Sequence, residues 1–355
     1  MMTRILLGIL LFAGGFGNWY FITAGGLLGS IALLLINNRK SKIKFPYGFK
    51  LYLLFLILLL TDLIISVDKY ESLKFLLLFA SGGGFWVFAN NMGKNWDGKF
   101  EKILIFLGLV FGVFYLIYAL FSLTPPVWGI FSFTSYERTH NHIGDLWVLI
   151  LLVPIYKFLK GEKKKFTDYF LLGFGLILLA ASLSRSAYVS LMVAIIFILW
   201  KLNIWEKYKK VLLSSLGVLA ILFISASLLK PTFANRIYFL QAVLGLYYYP
   251  LGVGVGNFSE VSSMFSNSSA LLRPFSTYVH NIVLEVLSGL GILGLVFVYW
   301  LYKVIKDVLI HPNSLLSGAV FLALFTNFFF DRTYLSPIML WLWFISLGLA
   351  QDRSK

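Results

Sequence analysis

The sequence predicts an all-α protein, a polytopic membrane helix bundle of about twelve transmembrane helices with a large extracytoplasmic loop between the ninth and tenth. Three observations predict it. Of the 355 residues 59% are hydrophobic, 18% aromatic and only 13% charged, a profile outside that of soluble domains. Apolar runs near the spanning length of roughly 20 residues recur along the whole chain. The Lys and Arg residues behind the net charge of +15 collect in the connections between those runs.

Taken in order, the first apolar run covers residues 5–36. It is too long for one upright helix, about 48 Å at the standard rise, and Gly14, Gly15, Gly17 and Asn18 lie at its middle. It therefore divides into two short spans. Residues 1–4 imitate the charged start of a secretory signal, but so many apolar runs follow that the segment reads as a signal anchor. Further spans fall near 46–66, 71–90, 100–122, 142–160, 165–183, 185–202, 210–229, 279–302, 313–330 and 333–350. The region 166–202 is apolar except at Ser182-Leu-Ser-Arg-Ser186 and is flanked by lysines on both sides, so it predicts a hairpin turning at the serines. Residues 1–355 form a single transmembrane domain, and 231–279 are an extracytoplasmic loop within it. A loop of that length is functional or disordered.

Placing the N-terminus on the cytoplasmic side puts 22 of the 30 Lys and Arg residues in cytoplasmic segments. The connections at 37–45, 91–102, 157–165, 201–210 and 303–311 each carry at least two lysines, as the positive-inside rule requires. Topology thus absorbs a charge that would suggest nucleic acid in a soluble protein, and no nucleic-acid partner is expected. Cysteine is absent, which excludes disulfides, thiolate metal sites and cysteine nucleophiles.

Arginine is distributed differently from lysine. Five of the eight arginines (Arg138, Arg185, Arg236, Arg273 and Arg332) fall on the outer side, against three of the 22 lysines. A guanidinium matches phosphate oxygens two at a time, whereas an ammonium is a point charge. An outward set of arginines suggests a phosphate-bearing ligand, although any one of them could equally pair with lipid headgroups or a nearby carboxylate. Arg185 is the hardest to explain that way. It sits in the hairpin among Ser182, Ser184 and Ser186, with no acidic residue within sixteen positions on either side, and a charge near membrane depth usually marks function.

The outer segments hold the remaining chemistry. Tyr136-Glu-Arg-Thr-His-Asn-His142 gathers Arg138, His140, Asn141 and His142, with Asp145 three residues past His142 on the same helix face. Helix capping at the membrane surface is the preferred reading over a metal site. In the long loop, Arg236 precedes an apolar stretch, 237–246, that is expected in the interface with Tyr247, Tyr248 and Tyr249 at headgroup level. Gly252-Val-Gly-Val-Gly256-Asn257-Phe258 lacks the G-x-G-x-x-G spacing of nucleotide-binding loops and reads as a flexible turn that lets backbone approach a ligand. The Ser/Asn-rich run 259–276 is expected to be mobile. His280 opens the next span, in which Asn281, Glu285 and Ser288 make a polar stripe facing a partner helix or cavity. On a continuous helix His280 would lie about 140° around from Glu285. Histidine titrates near neutrality and can take a proton from an attacking hydroxyl, while arginines can stabilise charge growing on a phosphate leaving group.

Together, Ser184-Arg185-Ser-Ala-Tyr188, Arg236 at the entry to a long outer loop, Pro250-Leu-Gly-Val-Gly-Val-Gly-Asn-Phe258, and His280-Asn-Ile-Val-Leu-Glu285 followed by Gly289-Leu-Gly291 resemble the O-antigen ligase and O-antigen polymerase superfamily of bacterial membrane glycosyltransferases. These elements cover roughly residues 180–295, in a chain that is short for the family. The resemblance implies transfer of a glycan from undecaprenyl pyrophosphate to an acceptor, lipid A core for a ligase or another glycan for a polymerase, on the periplasmic side of the bacterial inner membrane. It implies neither cofactor nor metal, in keeping with a sequence that has no D-x-D motif. It makes His280 the candidate base and Arg185 and Arg236 the clamps on pyrophosphate, with Arg138, Asn281 and Glu285 as further substrate-binding candidates. Arg273 and Arg332 match nothing in the family pattern. Two other classes would use the same features differently. A transporter or flippase for an anionic lipid-linked substrate would need only the arginines, but should show repeats and broken midplane helices, and neither is visible. An assembly scaffold would explain the serine-rich loop but not the histidine.

Overall fold

A bilayer interior offers no partner for backbone N–H and C=O groups, and a helix satisfies them within one segment; the apolar runs accordingly fold as helices. The computed structural model describes residues 2–15, 20–38, 42–93, 96–121, 136–210, 237–268 and 274–352, with residues 213, 214, 217, 218, 221, 224 and 272 in addition and without the side chains of residues 97, 111–121 and 136–143. No strand occurs among the described residues. The long helices are α1 (Met2–Gly14), α2 (Tyr20–Asn37), α3 (Phe49–Ile65), α4 (Lys69–Asn90), α5 (Asp97–Phe121), α6 (Tyr136–Lys160), α7 (Phe166–Ser182) and α8 (Arg185–Lys201). After them come α9 (Tyr238–Tyr248), α10 (Phe258–Ser268), α11 (Ile282–Leu290), α12 (Leu295–Ile310), α13 (Leu315–Phe328) and α14 (Pro337–Gln351).

By length and composition Tyr20–Asn37, Lys69–Asn90 and Ile282–Ile310 are each able to cross a membrane, the last running from α11 through a 3-10 turn (Gly291–Gly294) into α12. Shorter apolar helices stand beside them. Leu28, Phe21 and Ile64 are 70%, 73% and 77% exposed, a surface that suits lipid and not water. The first apolar run is two helices, α1 and α2. The region 166–202 is the helical pair α7 and α8, broken at Leu183 and Ser184.

α14 is the axis of the bundle, and all of its residues are buried. A helix apolar on every side must be surrounded, and α1, α4, α12 and α13 surround it. Two of its polar side chains find partners inside: Trp341 Nε1 donates to Ser81 Oγ (2.8 Å), and Gln351 Oε1 accepts from Trp86 Nε1 (3.0 Å).

The bundle has two distinct ends. At one, the lysine-bearing connections bond to each other: Asn37 Nδ2 to Asn91 O (2.8 Å), Gly93 N to Asp352 Oδ2 (3.0 Å), Lys201 Nζ to Ile310 O (3.1 Å), and Lys157 to both Glu101 and Asp168 (3.4 Å each). At the other lie the α3–α4 and α7–α8 turns, residues 237–268 and 274–281, and the turn between α13 and α14.

At this second end two expectations change. The glycine segment is neither flexible nor open to a ligand. Its backbone is fastened by Val253 N to Ser288 O (3.3 Å), Gly254 N to Gly289 O (3.0 Å) and Val255 N to Asp62 Oδ2 (2.8 Å). Asn257 Nδ2 donates to Ser66 Oγ and Ser72 Oγ. Gly252 has φ +83°, and a Cβ there would lie 1.8 Å from Gly289 O, so the close backbone approach is to the protein's own α11. The Ser/Asn-rich run, expected to be mobile, begins as the helix α10, because Phe258, Val261 and Phe265 fall at i, i+3 and i+7 and bury one face against Tyr238 and Ala242 of α9. Tyr247 and Tyr248 of α9 remain exposed.

Candidate functional site

The site is built where α11 begins. Asn281 is extended, and its Oδ1 accepts from Val283 N (2.9 Å) and Leu284 N (3.0 Å), so the helix is capped there. His280 thus precedes the helix instead of opening it, and the 140° separation computed for a continuous helix does not apply. Its φ is +61°, a left-handed conformation uncommon outside glycine. Both neighbours hold it in place. Val279 N donates to Glu285 Oε2 (2.8 Å), and Asn281 Nδ2 donates to Phe329 O (3.0 Å).

The imidazole is held on two sides. The Tyr238 ring lies with its centroid 5.1 Å away, tilted 31°. Asp331 Oδ1 stands 3.6 Å from Nδ1, an electrostatic contact longer than a hydrogen bond. Asp331 is buried in the turn after α13, where it caps the 3-10 segment Arg332–Leu335 by accepting from Arg332 N (2.6 Å). His280 keeps 24% of its side chain exposed, and Nε2 is the nitrogen turned away from the Asp331 contact.

Glu285 is fully buried, and its Oε2 also accepts from Tyr334 Oη (3.2 Å). Tyr278 donates to Glu71 Oε2 (3.4 Å). Burial, then the charges of Glu71 and Glu285, hold the Tyr278 hydroxyl well above its ordinary range, with Arg332 opposing. It therefore stays a donor. The half-buried Arg332 is within electrostatic reach of both phenols, Tyr278 and Tyr334.

Arg185 begins α8 beside this cluster. Leu183 turns the chain with φ +50°, Ser184 Oγ caps the helix by accepting from Ala187 N (3.4 Å), and Arg185 follows, half-buried. α6 presses against this turn through Gly144, whose Cβ, if present, would lie 2.7 Å from Ser184 Cβ. The next residue, Asp145, is 2% exposed and lies beside Asp331 and Thr333. Neither of its carboxylate oxygens has a hydrogen bond among the described residues. The turn carrying Arg185 and the His280–Asp331 pair are thus joined across α6.

Of the residues singled out in the sequence, His280, Asn281, Glu285 and Arg185 come to this end of the bundle. Arg138 lies on α6, seven positions before Asp145, with its side chain outside the described residues, as are those of His140, Asn141 and His142. Arg236 and Arg273 also lie outside the described residues. Sequence reasoning missed Asp331, Tyr238 and Tyr334, and it left Arg332 without a role. A carboxylate adjoining an arginine in an outer turn was the only signal for Asp331. Among the described residues no three His, Asp or Glu side chains group as metal ligands would.

Residues 170–299 match the family model described as O-antigen ligase. No curated protein and no solved structure matches the chain.

Proposed function

From the O-antigen ligase match, which sets residues 170–299 in the O-antigen ligase and polymerase superfamily, we propose that the protein transfers a glycan from undecaprenyl pyrophosphate to an acceptor hydroxyl. The reaction takes place on the outer face of the bacterial cytoplasmic membrane. The observation that carries this reading is His280, inside the matched segment, fixed at the head of α11 between Tyr238 and Asp331.

In this mechanism His280 Nε2 removes the acceptor hydroxyl proton as its oxygen attacks the anomeric carbon. The bond from that carbon to the pyrophosphate oxygen breaks on the opposite side, so configuration inverts. The Asp331 carboxylate faces the imidazolium that forms, which favours proton transfer. Arg185 and Arg236 take the charge that grows on the leaving pyrophosphate, and Arg138 is a third candidate for it. Asn281 and Glu285 serve as supports more than as substrate ligands, because their hydrogen bonds go to Val283, Leu284, Phe329, Val279 and Tyr334. The same reading keeps about twelve spans with the N-terminus inside and residues 231–279 as the outer loop. No metal takes part. The acceptor is lipid A core for a ligase or a second glycan for a polymerase.

The test is a purified full-length chain given undecaprenyl-pyrophosphate glycan and each candidate acceptor, with products identified by mass. His280→Ala is expected to lower transfer by about 10²–10⁴-fold, the usual contribution of a positioned base. Arg185→Ala should weaken donor use more than Arg185→Lys, and a chelator should leave transfer intact. Full product from His280→Ala and Arg185→Ala made at normal levels would remove the proposal. Passage of the donor across vesicles without a new glycosidic bond would favour a transporter.

A further inference from the structure

The lysine-rich end carries a second built feature, remote from His280. α1 and α5 both start at that end and flank a groove of ≈ 550 Å³, within the range of about 300–1,000 Å³ common for small-molecule pockets. Arg4, Lys99 and Lys102 line its mouth. None of the three has an ion pair among the described residues, and the nearby Glu101 is turned to Lys157 at 3.4 Å. Lys99 lies over the Trp96 ring, 4.8 Å from its centroid, as an interfacial tryptophan would hold it at headgroup level.

Past the mouth the groove is apolar, with Gly8 and Phe12 on one wall and Phe106 and Val110 on the other. A Cβ added at Gly8 would meet nothing within 4 Å, so the missing side chain leaves part of the space open. From Arg4 to Phe12 the wall runs about 12 Å along the helix. Three neighbouring cations over an apolar channel suit a ligand with a phosphate at one end and hydrocarbon behind it.

We propose that this groove binds an acidic glycerophospholipid of the cytoplasmic leaflet. Its phosphodiester sits among Arg4, Lys99 and Lys102, and one acyl chain lies along α1 and α5. Arg4 can engage two phosphate oxygens at once, and the lysines add point charges. Basic pockets between membrane helices at the cytoplasmic surface suit such headgroups. A zwitterionic lipid would bring an ammonium group toward the same cations and bind less well. This inference rests on the membrane reading of the chain and is independent of the transfer reaction.

Native mass spectrometry of the full-length protein in detergent tests it, with phosphatidylglycerol, phosphatidylethanolamine, undecaprenyl phosphate and inorganic phosphate as probes. Phosphatidylglycerol should be retained and the other three should fail to displace it. The triple change Arg4→Gln, Lys99→Gln, Lys102→Gln should weaken retention on the order of 100-fold, from roughly a fivefold share for each cation. Gly8→Leu fills the channel without touching charge and should also reduce retention, which separates a seated acyl chain from a headgroup held at the surface. Equal retention of phosphatidylethanolamine, displacement by phosphate or undecaprenyl phosphate, or unchanged binding in either variant would overturn the proposal. A protein that retains phosphatidylglycerol but transfers no glycan would leave this site standing while the transferase reading fell.

Discussion

Buried carboxylates occur at both ends of the bundle, and the two ends treat them differently. At the lysine-rich end Asp168 accepts from Lys165 N and pairs with Lys157, Asp307 accepts from the Gln351 amide, and Asp352 accepts from Gly93 N. At the opposite end Asp62 and Glu285 each leave one oxygen, and Asp145 both, without a hydrogen bond among the described residues. A stranded buried acceptor costs about 1–3 kcal/mol. The first end is arranged for stability and topology. The second retains costly groups, of which Glu285 holds the residue before His280 and Asp145 lies beside Asp331, in keeping with the transfer site proposed there.

Glycines at the two ends provide the largest test of that contrast. Gly252 and Gly93 both have positive φ, +83° and +71°, but a Cβ at Gly252 would strike Gly289 O, whereas one at Gly93 would meet nothing within 4 Å. Gly252→Ala adds a clash to the backbone strain and should cost about 3 kcal/mol or more. Gly93→Ala carries the strain alone, about 1 kcal/mol. Thermal denaturation of the two purified variants checks the order, and equal losses would mean that the glycine segment is not packed against α11.

A comparable loss follows at the clamp. Glu285→Ala leaves the Val279 N–H and the Tyr334 hydroxyl without their acceptor, at about 1–3 kcal/mol for each buried group stranded. Glu285→Gln keeps a carbonyl oxygen in place and should cost less, while transfer persists. If Glu285→Gln instead abolished transfer in a protein of normal stability, the carboxylate would belong to the chemistry and not to the support of His280.

Asp331→Asn is expected to act on rate alone. Asparagine caps a helix turn as well as aspartate does, so the 3-10 segment should survive, but the charge facing His280 is removed. A loss of about tenfold in kcat, near 1.4 kcal/mol, with KM for the donor little changed, is the expected result. A change confined to KM would make Asp331 a donor-binding group.

How legible these features were depends on how local their cause is. The break between α7 and α8 could be read from Ser182-Leu-Ser-Arg-Ser186, because a serine caps the following helix through its own sequence neighbours. The division of α1 from α2 was legible for the same reason, from the glycines at 14, 15 and 17. The partner of His280 was not. Asp331 lies beyond three intervening helices, α11, α12 and α13, and nothing near either residue encodes that meeting. Glu285 was singled out, but its bond to Val279 follows from where Asn281 starts the helix, a boundary that hydropathy does not set. The glycine segment was misread because three glycines permit both a mobile loop and a tightly buried one, and only the neighbours decide. The helix in the serine-rich run was written in Phe258, Val261 and Phe265, a pattern that the polar composition obscured.

The smallest expected effect lies in the lysine connection between α6 and α7. Lys163 and Lys164 are exposed and have no carboxylate partner among the described residues, and Lys164 only approaches the Phe158 ring, 4.8 Å from its centroid. Replacing both with glutamine should change stability by less than about 0.5 kcal/mol and leave transfer unaltered, since the proposed topology gives them only an orienting role during insertion, shared with Lys157, Lys160 and Lys165. Thermal denaturation beside the transfer assay measures both. A clear loss of transfer would mean that the lysine-rich end communicates with His280, and the division of labour between the two ends would have to be abandoned.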